Sequence, residues 1–364
     1  MTVITRLALT LCLLLSTSAL SNAQKKSEED LFDRVMTELQ AGRTERVLAA
    51  LDELIKQYPK NPDAYFLRGN LRLAVDPSQA LSDFDKVIEL KPDAGPAYNQ
   101  RAILRLANND LAGALKDLDA AIAHNLKDDS VYDLRGQLRW QAGDLNGALS
   151  DLDEALKLNP NNPRLYSNRG GLLFNSKEFD RALVDYNYLI NWYETDPKAR
   201  PNAKPLESQP NAAPRNGSKP FGVEMAQQTS NESPGSKEMA PTIADVYVNR
   251  GFILQERGNH VAAFADFDKA IRVDPANVWA YYDRANEYEY KGDLPAALAD
   301  ITKALQLDPK NGNLVVEHGV ILLLMGKDKD AQADFDVLLK LDRALWQKRI
   351  DDRTAVVRKV LPVK

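Results

Sequence analysis

Residues 129–162 read DSVYDLRGQLRWQAGDLNGALSDLDEALKLNPNN, and variants of this stretch recur along most of the chain. Its fourth residue is a tyrosine, which recurs at intervals of 33, 34 and 34 residues and, after a longer gap, once more at an interval of 34. Self-similarity at a fixed period of this length indicates stacked structural units that each add one layer to a protein. The members of the series are Tyr65, Tyr98, Tyr132, Tyr166, Tyr247 and Tyr281.

Two opposite charges recur in phase with the tyrosine. An arginine follows each tyrosine by three residues, and an aspartate stands before a large apolar residue in the second half of each unit. If the two halves are antiparallel helices, these charges lie at similar height, and we expect a ladder of ion pairs within a unit or to the next. The alternative is a charged track for a ligand. The series are Arg68, Arg101, Arg135, Arg169, Arg250 and Arg284, and Asp83, Asp117, Asp151, Asp185, Asp266, Asp300 and Asp334.

Each unit contains two segments whose apolar residues follow the spacing of an amphipathic helix. Gly143, Gly258 and Gly292 fall between the two segments, where a residue without a Cβ bends most easily. Pro92 and Pro160 stand near the end of their units, where a proline stops one helix and begins the next turn. One such helix pair cannot bury both of its apolar faces, so the pattern predicts a stack.

The pattern resembles that of the tetratricopeptide repeat family. The period, the small residue near position 8, the alanine near 20, the large apolar residue near 24 and the proline near 32 all agree. The resemblance implies an all-α fold, a right-handed superhelical solenoid of tetratricopeptide-type helix pairs. Eight units can be counted, of which the first and the last are degenerate. They are 28–61, 62–94, 95–128, 129–162, 163–196, 244–277, 278–311 and 312–345.

Three segments lie outside the repeats. Residues 197–243 contain eight of the nineteen prolines, and this composition predicts a disordered insertion. The alternative is a tethered ligand, in which the apolar patch Phe221–Met225 docks in the protein's own groove. Whether repeats 1–5 and 6–8 form one stack is left open. Residues 346–364 predict a capping helix.

Residues 1–23 read as a signal peptide, with Arg6 ahead of an apolar run and Ser21-Asn22-Ala23 as the cleavage site. An uncleaved anchor is the alternative. Cleavage would remove Cys12, the only cysteine, and would change the net charge from −5 to −6. We therefore expect an exported protein, periplasmic or secreted, without disulfides and without stable membrane insertion after cleavage. The acidic balance argues against nucleic acid as a partner.

The resemblance also implies a binding face, because first-helix positions 2, 5, 9, 12 and 13 line the concave groove in this family. Aromatic and amide side chains dominate these positions and suit an extended peptide. Packing between neighbouring first helices is the alternative for several of them. The candidate peptide-binding residues are Phe66, Asn70, Asn99, Gln137, Trp140, Phe174, Phe252, Trp279, Tyr282, Asn286 and Tyr290, and the same positions hold Ile103, Asp133, Asn175, Val248 and Gln255.

Trp279, Tyr282 and Tyr290 lie on one predicted helix face and exceed what packing requires, so repeat 7 is the favoured place for a partner. The carboxylate clamp of chaperone-binding family members is incomplete. Asn70 and Asn286 match its asparagine, but Phe66 and Tyr282 stand where its lysine would be.

No pattern for catalysis is present. The three histidines fall at unrelated repeat positions, and the sequence has no phosphate-binding glycine loop and no nucleophile elbow. We expect no cofactor and no metal site. The predicted function is a protein–protein interaction scaffold that binds a peptide or protein segment on its concave face. The alternative is a non-catalytic accessory subunit of a cell-envelope enzyme or secretion complex.

Overall fold

The computed structural model describes residues 22–195 and 242–360, with side chains for 26–195 and 242–355. Most of the predicted signal peptide, including Cys12, and nearly all of the predicted insertion, including Phe221–Met225, lie outside the described residues. The described residues form seventeen α-helices and contain no strand. The predicted all-α architecture of helix pairs is thus confirmed. The chain divides after Leu158 into an N-terminal and a C-terminal unit.

The N-terminal unit contains the helix pairs of the first four repeats. Each repeat contributes one odd-numbered first helix and one even-numbered second helix, and α1 begins six residues before the predicted start of repeat 1. The helices are α1 (Asn22–Gln40), α2 (Thr44–Gln57), α3 (Pro62–Arg72), α4 (Pro77–Leu90), α5 (Gly95–Ala107), α6 (Leu111–Ala123), α7 (Asp129–Gln141) and α8 (Leu145–Leu158).

The C-terminal unit contains repeats 5–8 and a final helix that begins three residues before the predicted capping segment. The helices are α9 (Pro163–Asn175), α10 (Phe179–Thr195), α11 (Ile243–Glu256), α12 (His260–Val273), α13 (Val278–Lys291), α14 (Leu294–Leu307), α15 (Gly312–Leu324), α16 (Asp328–Leu341) and α17 (Arg343–Val360).

Local sequence sets where these helices begin and end. Asn61 caps α3 by accepting a hydrogen bond from the Ala64 amide at 3.0 Å, and a proline follows at the first helical position. The turn inside a repeat requires a left-handed residue, which Gly143 supplies at φ 85° and Gly292 at φ 78°. The glycines predicted for these turns are therefore confirmed.

The small residue at position 8 lets the two helices of a repeat approach closely. A Cβ at Gly251 would lie 2.6 Å from the ring of Phe267, and a Cβ at Gly69 would lie 3.0 Å from the ring of Phe84. Both rings are fully buried. The glycine at position 8 and the ring near position 24 are thus two halves of one contact, which also occurs at Gly170 and Gly319.

Repeat 6 stacks directly on repeat 5, although more than forty residues separate them in the chain. The Tyr247 hydroxyl on α11 donates to Glu194 Oε1 on α10 at 2.9 Å, and Arg250 Nη1 donates to Asn187 Oδ1 at 2.8 Å. The rings of Phe174 and Phe252 meet edge to face at 5.6 Å. The insertion therefore leaves and re-enters the C-terminal unit at one repeat junction.

Helix α17 covers the last repeat. Ile350 is buried in one cluster with Phe335 and Leu338, and Trp346 packs against it. The Trp346 ring fills the space beside Gly312, where a Cβ would lie 2.2 Å from ring atoms. This contact protects the apolar face that repeat 8 would otherwise expose.

Candidate binding face of the first helices

The recurring arginines and aspartates are joined in the ladder that the sequence predicts. Arg135 donates from Nε and Nη2 to the two carboxylate oxygens of Asp151 at 2.9 and 2.5 Å. Its Nη1 donates to Asp119 of the preceding repeat at 2.7 Å. Asp151 is only 2% exposed, so it cannot serve a ligand. Arg135 thus bridges the two helices of its own repeat and the repeat before it.

The same double contact occurs in four further repeats. Within each, the arginine pairs with its own buried aspartate and with an Asp or Asn of the preceding second helix. The sets are Arg68 with Asp83 and Asp52, Arg101 with Asp117 and Asp85, Arg250 with Asp266 and Asn187, and Arg284 with Asp300 and Asp268.

Repeat 8 departs from the ladder in a consistent way. His318 takes the place of the arginine and contacts Asp334 at 2.7 Å through Nδ1. The acceptor position of the preceding repeat holds Thr302, which donates its hydroxyl to Leu298 of its own helix at 2.6 Å. Repeat 8 thus lacks both the arginine and the carboxylate of the preceding repeat that would accept from it. This joint absence supports a stacking role for the arginine–aspartate ladder.

Repeats 2–4 add a second arginine that the sequence reasoning missed. Arg72, Arg105 and Arg139 stand four residues after the ladder arginines and bind the same buried aspartates at 2.8–2.9 Å. The signal that could have found them is this spacing, since residues four apart lie on one helix face.

The recurring tyrosines pack as expected. The hydroxyls of Tyr65, Tyr98 and Tyr166 each donate to the carbonyl of the proline six residues earlier, at 3.3, 3.2 and 3.0 Å. The guanidinium of the following arginine lies over each ring. These tyrosines therefore fix the turn between repeats.

The candidate binding residues of the N-terminal unit are mostly half-buried. Phe66 packs edge to face on Phe84, and Asn70 donates to the Phe66 carbonyl of its own helix at 2.8 Å. Within the described part of the chain, Asn99, Gln137 and Trp140 make no side-chain hydrogen bond, ion pair or ring contact. Repeats 3 and 4 thus present one aromatic and two amide side chains whose polar groups are unused.

The remaining candidates of this unit divide by burial. Ile103, at position 9 of repeat 3, is exposed, whereas Asp133, at position 5 of repeat 4, is fully buried. Asp133 is therefore part of the packing and Ile103 belongs to the accessible face.

Three rings join repeats 5 and 6 in the C-terminal unit. Phe174, Phe179 and Phe252 meet at centroid distances of 5.6–6.4 Å, and Phe174 and Phe252 are half-buried. These two candidates pack between neighbouring first helices, which is the alternative that the sequence left open. Of the neighbouring positions, Asn175 is exposed, Gln255 is half-buried and Val248 is buried.

The aromatic residues of repeat 7 do not form the single exposed cluster expected from the sequence. Trp279 is 7% exposed and meets Tyr282 edge to face at 5.7 Å. Burial raises the pKa of Tyr282, and the nearby Glu317 carboxylate raises it further. Asn286 hydrogen-bonds with the Tyr282 side chain. Tyr290 is 69% exposed but stacks on His260 at 3.8 Å.

Helix α17 contacts the first helices of repeats 7 and 8. Arg353 donates from Nε to Glu317 Oε2 and from Nη2 to Glu289 Oε2, both at 2.9 Å. Glu317 lies on α15 and Glu289 on α13, so one guanidinium spans the first helices of two repeats. Sequence reasoning missed this contact because Arg353 is 64 residues from Glu289.

A second pair missed from the sequence lies at the junction of repeats 6 and 7. The fully buried carboxylate of Glu287 contacts His260 Nδ1 at 3.1 Å through both oxygens. Glu287 occupies a position at which repeats 2–6 and 8 have leucine or isoleucine.

Features that would support chemistry are sparse in the part of the chain that the structure describes. It contains no group of three or more His, Cys, Asp or Glu side chains that could hold a metal ion. A shallow cleft of about 360 Å³ lies beside Glu194, Tyr247, Lys269 and Arg272. Among the described helices, none has the length and apolar character needed to span a bilayer.

The chain is similar to several proteins of known structure. Among solved structures, YrrB, a TPR protein with an unusual peptide-binding site, is 20% identical, and the match covers 64% of this chain and 95% of that one, with a TM-score of 0.47. The C-terminal part of a TPR repeat-containing protein from Cytophaga hutchinsonii is 16% identical over 80% of this chain and 97% of that one, with a TM-score of 0.49. No curated protein matches the sequence significantly.

Four family models match within the chain, at residues 32–74, 136–177, 244–277 and 278–311, and each describes a TPR or tetratricopeptide repeat. The matches fall on both units and coincide with helix pairs of the structure. The chain therefore carries tetratricopeptide repeats in both of its units.

Proposed function

We propose that this protein is an interaction scaffold that binds an extended peptide or protein segment along the concave face of its first helices, without performing chemistry on it. The single observation that carries the proposal is the set of unused polar groups on Asn99, Gln137 and Trp140. The recurring charges and tyrosines form hydrogen bonds within the stack of repeats. The non-recurring side chains at positions 5, 9 and 12 of their repeats are free to bind a partner.

The chemistry of these three side chains suits a peptide. Each amide offers two donors and an acceptor, which match the carbonyl and amide groups of an extended backbone. The Trp140 ring supplies a large apolar contact with one further donor. Ile103 adds an exposed apolar side chain on the first helix of repeat 3. This mixture of a hydrophobic centre and neighbouring polar groups is typical of protein-binding surfaces.

The alternative is a non-catalytic accessory subunit that docks an envelope enzyme or secretion complex. Under either function we propose export to the periplasm or the outside, on the basis of residues 1–23. N-terminal sequencing of the protein from its native host tests this, since export with cleavage predicts Gln24 as the first residue. A single stoichiometric partner in a pull-down would favour the accessory subunit, and many transient peptides would favour the scaffold.

The binding face is tested by replacing Trp140 and Gln137. A peptide selected from a display library against the intact protein should bind Trp140→Ala and Gln137→Ala at least tenfold more weakly by fluorescence anisotropy. Val184→Ala is the matched control, because Val184 is an exposed apolar side chain on a second helix. Unchanged affinity in both variants, at an unchanged melting temperature, would reject this face as the binding site.

A further inference from the structure

The contact between α17 and the first helices of repeats 7 and 8 has the chemistry of a binding site that is already filled. Arg353 makes four hydrogen bonds of 2.9–3.2 Å to the carboxylates of Glu289 and Glu317. The carboxylates are 20% and 13% exposed, and they belong to different repeats. Together they form a cleft that accepts a planar, doubly branched cation, which is the geometry of arginine rather than lysine.

These carboxylates need a cation when they are buried. Desolvation raises the pKa of Glu317, and the positive charge of Arg353 acts in the opposite direction. Removing one partner of such a pair leaves an uncompensated charge, which costs more than the pair itself contributes. The site therefore stays occupied by some guanidinium, but nothing in its geometry requires that this group come from the same chain.

The stacking of the repeats does not require these carboxylates. Glu289 stands at position 12, where the first helices of repeats 2–6 and 8 have Leu, Trp, Phe or Gln. Glu317 stands at position 6, which holds Leu, Gln or Asn in repeats 2–6 and the shorter Asp283 in repeat 7. Position 12 is one of the groove-facing positions of the family, so Arg353 occupies part of the proposed binding face.

The two halves of α17 are held by different forces. Trp346 and Ile350 fix the first half by apolar packing, and Arg349 contacts only the neutral Asn313, at 2.5 Å, and the Trp346 ring. Thr354, in the second half, is buried but bonds to its own helix, so among the side chains described up to residue 355 it is Arg353 that makes the polar contact between that half and the repeats. The segment 343–360 has six basic and two acidic residues, in a chain with a net charge of −5.

We propose that Glu289 and Glu317 form the receptor for an arginine of a basic partner segment, and that Arg353 of α17 occupies this receptor as a built-in competitor. The inference rests on the proposed function and adds the chemistry of the partner and the regulation of the site. A competing intramolecular ligand reduces the apparent affinity for any external ligand to the intrinsic affinity multiplied by the fraction of time that the site is open. A partner bearing an arginine at the corresponding place displaces the second half of α17.

The test uses the full-length chain and a labelled synthetic peptide with the sequence of residues 343–360 as the external ligand. Two quantities are measured, the hydrogen exchange of residues 350–360 in the protein and the Kd of the peptide by fluorescence anisotropy. Arg353→Met should speed exchange at least tenfold and should lower the Kd at least tenfold relative to the natural chain. Arg349→Met is the matched control and should do neither.

A second variant separates the receptor from its occupant. Glu289→Gln with Glu317→Gln should also speed exchange of 350–360, but it should not bind the peptide, because the carboxylates are gone. Equal binding by this variant and by Arg353→Met would overturn the proposal, as would faster exchange in Arg353→Met without tighter binding. Unchanged exchange in Arg353→Met would overturn it as well.

The natural chain provides a test that does not depend on the stability of a variant. An excess of the peptide should speed exchange of 350–360 while leaving the exchange of α15 and α16 unchanged, and failure to do so counts against the proposal. The face of repeats 3 and 4 is tested separately through Trp140. Weaker binding by Trp140→Ala without displacement of α17 would contradict only the receptor at Glu289 and Glu317. Displacement of α17 together with unchanged binding by Trp140→Ala would contradict only the face of repeats 3 and 4.

Discussion

Arg135 shows why the recurring charges serve the stack and not a ligand. Its guanidinium uses three nitrogens on two aspartates, one buried within its own repeat and one on the surface of the preceding repeat. The buried aspartate is shared with Arg139, four residues further along the same helix. The same kind of polar contact ties repeats 2, 3, 4, 6 and 7 to the repeat before each of them.

The two acceptors of Arg135 should differ greatly in their effect on stability. Asp151→Ala removes the buried carboxylate that two guanidinium groups share, and we expect it to lower the free energy of unfolding by about 3 kcal/mol. Asp119→Ala removes an exposed acceptor, and the loss should stay below about 1 kcal/mol. Urea denaturation of both variants measures the difference.

The same two variants also test the role of the ladder. Both should bind a library-selected peptide with the affinity of the natural chain, provided that binding is measured well below their melting temperatures. A fall in peptide affinity for Asp151→Ala without a fall in stability would instead favour the alternative interpretation, in which the ladder is a charged track for a ligand.

At the scale of single elements, asparagine caps fix where the helices begin, and some of these caps also form a hydrogen bond to a neighbouring repeat. The Asn277 side chain accepts from the Ala280 amide at 3.0 Å and so caps α13. It also donates to Asp245 on α11 at 2.9 Å, which links two repeats. Asn259 caps α12 by a bond of 3.3 Å from the Ala262 amide at an exposed site.

Removing these caps should therefore give unequal results. Asn277→Ala loses a cap and a half-buried bond between repeats, and should lower the free energy of unfolding by about 2 kcal/mol. Asn259→Ala should cost about 0.5–1 kcal/mol, the ordinary value for an exposed cap. Thermal and urea unfolding followed by circular dichroism measure both. Equal losses would show that the Asn277–Asp245 bond contributes nothing.

At the scale of the whole molecule, the helices on the two sides of the insertion meet at one repeat junction. Glu194 and Tyr247, on either side of the insertion, are in hydrogen-bond contact. Closing a loop costs free energy that grows only with the logarithm of its length. The stack of repeats 5 and 6 therefore tolerates the insertion at small cost.

Shortening the insertion should slightly stabilise the protein. Replacing residues 198–241 by a flexible linker of fifteen Gly and Ser residues should raise the free energy of unfolding by about 1 kcal/mol, since the loop becomes about threefold shorter. A Gly/Ser linker of the original length is the control and should leave stability unchanged. A loss of several kcal/mol would show that the insertion packs on the repeats. An increase in peptide affinity in both variants would support the tethered ligand that Phe221–Met225 suggests.

Much of the fold was predictable because its determinants are local and recur. The Gly251–Phe267 contact and the Arg135–Asp151 pair each join residues sixteen apart in sequence, so a single repeat contains both partners. The second arginine of a repeat, such as Arg139, was not predicted because only three repeats have an arginine at that position. The candidate site was less predictable, since repeat position places a side chain on a face but does not decide whether that face is covered.

The sequence by itself determined the helix pairs, their caps and turns, and the charge ladder, because each of these depends on spacing within one or two repeats. Only the tertiary structure decided which candidate side chains are accessible. Arg353 comes from beyond the last repeat to meet Glu289, and Tyr282 lies half-buried near Glu317, while Trp140 and Gln137 keep their polar groups free. The physical reason is that burial depends on which distant segment packs over a surface, and no periodic pattern encodes a contact that occurs once.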